Sequence, residues 1–264
     1  YLVITNFACV SQNGFQAACM TQVLVISDIH ANLPALEAVL TDAGEIGYDQ
    51  VWCLGDVVGY GSRPNECIER IRTLPGLVCL LGNHDAAMLG QIDIESFNRE
   101  AGQSAMWTKN TLTESSCEFL KSLTIKTVVQ DVTLAHGSPR NPVWEYLVDI
   151  YTARDNFAHF NTLTCLVGHT HVPLAYQLEE NPRRSILTQF VGPAAYPING
   201  RAILNPGSVG QPRDYDPRAS YAIYDLEKEH FEIHRVSYDV TTAQKWILEA
   251  GLPGRHAERL EYGW

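Results

Sequence analysis

The 264-residue chain has few of the features that would place it in a class at a glance. No apolar run reaches the roughly 18 residues a membrane-spanning helix needs, which argues against a helical membrane protein. Basic residues are scarce. Nineteen Lys and Arg against 30 Asp and Glu leave a formal charge of −11, and no Lys or Arg precedes Arg63. That sign repels phosphate polymers and disfavours a nucleic-acid polymer as partner. The seven cysteines (9, 19, 53, 67, 79, 117 and 165) form no Cys-x-x-Cys pair, and their number is odd. A disulfide framework is therefore not expected. Most sit in apolar runs, which points to buried thiols, a reducing compartment and a cytoplasmic location. No Gly-x-Ser-x-Gly elbow exists, since Gly207-Ser208-Val209-Gly210 has the wrong spacing for a serine hydrolase. With 45% hydrophobic and 19% charged residues, disorder and coiled coil are excluded.

Residues 1–19 look unlike the rest. Gln16-Ala17-Ala18-Cys19 resembles a lipoprotein cleavage site, but the basic n-region is missing and polar residues interrupt the apolar stretch. An upstream extension or tag is the expectation, with a natural start at Met20 and one domain over 20–264. From there, β-branched runs at 22–27, 51–54 and 77–81 alternate with helical patterns at 34–46 and 64–73. This opening predicts a parallel βαβαβ unit with right-handed crossovers. Helix is expected over 93–122, and strands at 126–130, 132–135 and 163–167. A long aromatic-rich connection covers 140–162, with helix near 152–159. Five further strands follow at 173–179, 186–191, 201–204, 219–226 and 230–237, with Asn199-Gly200 as a hairpin turn. Two short helices close the chain, at 240–250 and 253–261. Two packed sheets with outer helices account for this order.

The chemistry sits just after strands: Asp28-Ile29-His30, Gly55-Asp56, Gly82-Asn83-His84-Asp85, His136-Gly137 and Gly168-His169-Thr170-His171. Strand ends of an open α/β sheet converge on one edge, so these distant loops can meet. Two carboxylates (Asp28, Asp56), one amide (Asn83) and four imidazoles (His30, His136, His169, His171) are too many donors for one tetrahedral zinc. They suit two divalent ions sharing a carboxylate. Four imidazoles favour Mn, Fe, Zn, Ni or Co over calcium or magnesium. Two such ions would make a locally cationic site in an acidic protein, suited to a small phosphate ester.

These five ordered blocks resemble the calcineurin-like metallophosphoesterases, most closely their small bacterial phosphodiesterase branch, over about residues 23–262. The resemblance implies a four-layer αββα sandwich of two mixed sheets flanked by helices (α/β). It implies Asp28, His30 and His171 on the first metal and Asn83, His136 and His169 on the second, with Asp56 bridging. It implies a phosphodiesterase whose nucleophile is a hydroxide bridging the metals, with His84 protonating the leaving oxygen and Asp85 orienting His84. Arg140 and Arg213 are candidate substrate-binding residues. Phosphomonoester, protein-phosphate or dinucleoside polyphosphate hydrolysis would use the same site. Where protein phosphatases of the superfamily carry an arginine, this chain has Gly59-Tyr60-Gly61, which weakens the protein-phosphatase alternative. Inactive scaffolds on this fold have lost ligands, and here none is missing. The Asn205-Pro206-Gly207-Ser208 turn reads as a structural loop. His159, His230, His234 and His256 fall outside the pattern and read as ordinary surface or partly buried residues. Trp107, Trp144, Tyr146, Tyr151, Phe157 and Phe160 read as core, with walls of a substrate cleft as the alternative.

Overall fold

The computed structural model describes residues 22–179, 186–192 and 194–264. The expected extension at 1–19 lies outside the described residues. The parallel opening is as predicted. Strand β1 (Gln22–Ile26), helix α1 (Leu33–Ile46), β2 (Gln50–Cys53), α2 (Pro64–Arg72) and β3 (Val78–Cys79) alternate, with β1 parallel to β2 and β2 to β3. Asn32 starts α1 by accepting the Ala35 N–H through its side chain, and Pro34 occupies the first turn, where no donor is lost.

Short helix α3 (Asn83–Met88) follows β3, then a 3₁₀ turn (Ile94–Ser96), α4 (Arg99–Thr111) and α5 (Glu114–Lys121). The single helical stretch expected over 93–122 is thus broken. Asn98 and Thr113 each cap a new helix with their side chains, and both can satisfy the backbone locally better than they can continue a helix. Strands β4 (Lys126–Val129) and β5 (Val132–Ala135), helix α6 (Ile150–Asn156) and strands β6 (Thr164–Leu166), β7 (Pro173–Glu179) and β8 (Ile186–Val191) come next. The chain then runs through β9 (Ala195–Pro197), β10 (Arg201–Pro206), β11 (Ala219–Asp225), β12 (His230–Val236), α7 (Val240–Glu249) and α8 (Gly254–Tyr262).

Two six-stranded mixed sheets result, in the orders β3-β2-β1-β11-β12-β9 and β4-β5-β6-β10-β7-β8. Strand β9, three residues long and paired at the edge with β12, lies outside the expected strands. The hairpin expected at Asn199-Gly200 is not formed, because β9 and β10 belong to different sheets, and the turn carries the chain from one sheet to the other.

Period-two alternation sorts the side chains between layers. In β1, Val23 and Val25 face the inter-sheet core, while Leu24 and Ile26 face α1 and α2. In β10, Ala202 and Leu204 face inward while Ile203 packs under α6 with Phe157 and Phe160. Both faces of both strands are buried, which explains their continuous apolar runs. The layers are therefore helix, sheet, sheet, helix. Leu204 is fully buried between the sheets. Leu204→Ala is expected to cost about 2–5 kcal/mol of folding free energy, read as a lower midpoint in urea unfolding with an unchanged slope.

Candidate metal centre

All five predicted blocks arrive at one edge of the sandwich. The loop after β1 brings Asp28 and His30, the loop after β2 brings Asp56, and the start of α3 brings Asn83 and His84. The loop after β5 brings His136, and the loop after β6 brings His169 and His171. Each of these eight side chains is buried.

Their backbone conformations are unusual. Asp28, His30, Asp56, His169 and His171 all have φ between 49° and 65°, in the left-handed region. For non-glycine residues this costs ~1–3 kcal/mol each and needs support from the surroundings. Bonds between the loops provide it. Asp28 and His30 donate their N–H groups to the carbonyls of Gly55 and Asp56, both at 3.0 Å. The His169 N–H donates to Asp28 Oδ2 at 3.0 Å, and the Gly168 N–H to the His136 carbonyl at 2.8 Å. The Asn205–Ser208 turn is part of this frame. Asn205 donates to the Gly168 carbonyl at 2.7 Å and the Ser208 hydroxyl to the Asp28 carbonyl at 2.8 Å. Turn chemistry alone predicts a plain loop there. Its polar residues gave no signal of how close they would come to the site.

The donors aim inward. Three rings give their Nδ1–H to backbone carbonyls: His30 to Val58 (3.1 Å), His136 to Leu54 (2.9 Å) and His171 to Gln211 (2.6 Å). A ring held this way presents the Nε2 lone pair to the centre, as metal-ligating histidines do. His30 Nε2 and His171 Nε2 lie 3.1 Å apart, and Asp28 Oδ1 is 3.8 Å from the first and 3.3 Å from the second. His136 Nε2 is 3.1 Å from Asn83 Oδ1. Asp56 Oδ2 stands between the two groups, 3.8 Å from His30 Nε2 and 3.4 Å from His136 Nε2. The described residues thus contain three sets with donor atoms close enough to hold an ion: Asp28, His30 and His171; Asp56, His136 and His169; and His30, Asp56 and His84.

The electrostatics favour added positive charge. Burial alone would raise the Asp28 and Asp56 carboxyls, but His171 beside one and His136 beside the other hold both below the ordinary carboxylate range. Burial pulls His136 down, yet Asp56 outweighs it and pushes the ring up to about 9. Burial, reinforced by the positive charge of His136, takes His169 down to about 3. Asp28 Oδ1 and His169 Nε2 are buried without a hydrogen-bond partner. Buried carboxylates that draw protons onto a neighbouring ring, beside an orphaned oxygen and nitrogen, are the pattern expected where cations belong. The donor set fits divalent transition metals.

The sequence profile described as a calcineurin-like phosphoesterase superfamily domain matches residues 21–229. The chain belongs to that superfamily. A metallophosphoesterase from Sphaerobacter thermophilus superposes with a TM-score of 0.82 at 42% identity, covering 92% of this chain and 99% of that one. An uncharacterised protein of Methanocaldococcus jannaschii is 38% identical over 250 residues, 92% of this chain and 98% of its own. The Escherichia coli K12 protein named phosphodiesterase YfcE is 26% identical over 216 residues, 78% of this chain and 88% of its own. The chain is thus a calcineurin-like phosphoesterase, and its sandwich is the superfamily fold.

Around this phosphoesterase centre, two expectations need correction. Asp85 does not orient His84. Its carboxylate accepts the N–H groups of Val57 (3.3 Å), Val58 (3.1 Å) and Gly82 (3.1 Å), while His84 Nδ1 has no partner. Asp85 instead ties the loop after β2 to the start of α3. Arg140 is not free for substrate, being paired with Glu145 and lying 3.7 Å from Asp155. A flexible arginine five residues from a glutamate finds that partner first. Arg213 lies beside the centre. Its backbone N–H donates to the His171 carbonyl at 3.3 Å, and its guanidinium donates to Gln211 Oε1 at 2.8 Å, with Nε buried and unpartnered.

Other expectations divide. Tyr146 stacks on the His169 ring at 3.9 Å, and Trp144 meets it edge-on at 6.3 Å, so these two are cleft walls. Phe157 and Phe160 are core, Trp107 packs beside α7 and α8, and Tyr151 is exposed. Tyr60 stands where protein phosphatases of the superfamily are expected to carry an arginine. It lies edge-on to His30 at 4.7 Å and tilted against His84 at 4.4 Å. Nearby Arg63 turns away, pairing with Glu66 and stacking on Trp246. His256, read as ordinary, is buried against Tyr60.

Gly82 leaves no room for a side chain. A Cβ there would lie 2.1 Å from Asp56 Oδ1 and 2.4 Å from the Asp56 backbone nitrogen. Gly82→Ala must therefore displace Asp56. It is expected to weaken Mn²⁺ binding about 10- to 100-fold in calorimetric titration, as loss of a ligand's supporting contacts does.

Proposed function

We propose that this phosphoesterase hydrolyses small phosphodiesters at a pair of divalent transition-metal ions. Asp28, His30 and His171 would hold one, Asn83, His136 and His169 the other, and Asp56 both. One observation carries this reading: Asp56 Oδ2 lies between His30 of the first set and His136 of the second. An oxygen so placed suits a shared ligand. When bound, the ions would supply Lewis acidity and a source of hydroxide at neutral pH. The diester preference takes support from the Escherichia coli relative named a phosphodiesterase.

The chain's own groups do the rest. His84 is anchored by its backbone N–H on Asp56 Oδ1 at 2.8 Å, and its ring packs among Tyr60, Phe97 and His30. Burial, opposed by Asp56, takes the ring down to about 4, so it is neutral before substrate arrives. A bound phosphate anion raises the affinity of the ring for a proton. His84 can then hydrogen-bond the leaving oxygen and hand the proton over as the bond breaks. Arg213 offers a fixed positive charge to the non-bridging oxygens. Tyr60, Phe97, Trp144 and Tyr146 shield the site from water, which strengthens each of these interactions. No helix among the described residues is long and apolar enough to cross a membrane. We place the enzyme in the cytoplasm on the five described cysteines, all free and four of them buried.

His84→Ala is expected to keep its metal content by elemental analysis while kcat falls about 10²- to 10⁴-fold. Asp56→Asn, by contrast, is expected to lose metal along with activity. With Mn²⁺ or Ni²⁺ supplied, bis(p-nitrophenyl) phosphate is expected to turn over faster than p-nitrophenyl phosphate, and a chelator to abolish both rates. A monoester preference would overturn the diester reading, and no turnover with any supplied metal would overturn catalysis altogether.

A further inference from the structure

No polar group fixes the His84 ring. Its backbone N–H is anchored on Asp56 Oδ1, but ring Nδ1 is buried without a hydrogen-bond partner, and Asp85 bonds elsewhere. The last side-chain torsion of a histidine is broad and soft, so such a ring keeps one orientation only if its neighbours hold it. Three rings do the packing: Tyr60 at 4.4 Å, Phe97 at 4.8 Å and His30, edge-on, at 5.0 Å. Phe97 is half-buried, between the 3₁₀ turn and α4. His30 is committed to the centre through its bond to the Val58 carbonyl. Tyr60 is buried and makes the closest of the three contacts.

Tyr60 is itself firmly held. Its φ is 58°, in the left-handed region, which for a bulky aromatic residue is a true outlier and needs support from its surroundings. The support comes from the loop after β1. The His30 and Ala31 N–H groups donate to the Asp56 and Val57 carbonyls, and the Gly61 N–H donates back to the His30 carbonyl at 3.1 Å. Glycines on either side let this turn press against both histidines. A Cβ on Gly59 would come 2.5 Å from His84 Nδ1, and one on Gly61 2.3 Å from the His30 carbonyl oxygen. The Tyr60 ring is braced edge-on by His30 at 4.7 Å and by buried His256 of α8 at 5.0 Å. Its hydroxyl contributes less, lying 3.5 Å from the Arg213 guanidinium, the outer limit of a hydrogen bond. Backbone strain kept beside a reacting group points to a role there.

We infer that Tyr60 is the positioning residue of His84, its ring keeping the imidazole aimed at the leaving oxygen. Tyr60 acts through His84 and not on substrate. The inference rests on the reading of His84 as proton donor and deepens it by naming what aims the ring. Its consequence is selective. Departure of a strongly basic oxygen needs the proton and therefore needs Tyr60, whereas a weakly basic oxygen departs without either. An error of about 1 Å in the placing of such a group costs about 100-fold in rate.

The test uses the full chain at saturating Mn²⁺ and two diesters that differ only in leaving group, methyl p-nitrophenyl phosphate and methyl phenyl phosphate. The readout is the ratio of kcat/KM for the nitrophenyl ester over the phenyl ester. A merely structural loss lowers both rates alike and cancels in that ratio. Tyr60→Leu is expected to raise it about 10- to 100-fold, through loss of the phenyl ester's rate, with metal content by elemental analysis unchanged. Tyr60→Met, a second aliphatic replacement read in parallel, is expected to do the same, so that the outcome does not hang on the folding of one variant. Tyr60→Phe keeps the ring and is expected to restore the wild-type ratio. His84→Ala is expected to raise the ratio by itself, and Tyr60→Leu/His84→Ala to raise it no further. Equal losses on both esters, a further rise in the double variant, or a Tyr60→Phe ratio as high as that of Tyr60→Leu overturns the inference. An unchanged ratio in His84→Ala would count instead against His84 as proton donor, and failure of the wild type to cleave either ester against the phosphoesterase reading.

Discussion

Asp28 and Asp56 are carboxylates taken almost wholly out of water, 0% and 1% exposed, at the junction of two β-sheets. Burying one unpaired anion costs several kcal/mol, and burying two close together costs more. The surrounding structure is organised around that cost. Four imidazoles from three loops face the two carboxylates, and those of His30, His136 and His171 have their far nitrogens tied to backbone carbonyls. Asp85 adds a third buried acid. Burial and the nearby charge of Asp56 push it up to about 7, and it is satisfied by three backbone N–H groups. A site built this way is unfavourable as an empty polar cluster and favourable as a cradle for cations, which is the physical link between this fold and phosphoester chemistry.

The backbone shows the same logic. Five of the seven donor residues adopt a left-handed conformation that local preference resists. Each is held by bonds from another loop, so no single loop could keep its shape alone. Strain at the centre is sustained by the sandwich around it, where valines, leucines and isoleucines from both sheets interlock. The glycines at 82 and 168 serve the contrary need. They let one loop press against the carboxylate of the next at distances no side chain permits.

The candidate donor set could be read from the sequence because it needs only residue type and order. Asp-x-His, Gly-Asp, Gly-Asn-His-Asp, His and Gly-His-x-His are short, lie at strand ends and keep their meaning whatever the intervening chain does. The parallel opening was legible because its apolar runs are periodic and its helix is capped by Asn32 and Pro34. Other features were hidden for physical reasons. Strand β9 is three residues at an edge, with too little pattern to read. Asn199-Gly200 has turn chemistry, but turn chemistry is blind to which sheet the next strand joins. Asp85 sits beside His84 in sequence, yet a helix start turns the two side chains to different partners. Arg140 was undone by a glutamate five positions away, a pairing that depends on how the loop folds back.

Sequence alone determined the kind of chemistry: which donors exist, how many, and that they follow strands whose ends share an edge. Those are properties of residue identity and of the two-residue and 3.6-residue periods, which survive without coordinates. Tertiary structure decided everything that depends on convergence from afar. It placed Asp56 between two clusters, turned Tyr60 and Tyr146 onto the histidines, and brought α8 across to set Arg255, His256 and Arg259 beside Arg213. The last helix lies more than 200 residues from Asp28 along the chain. Only packing in three dimensions can make such residues neighbours, because electrostatic and steric contact act over ångströms and not over sequence.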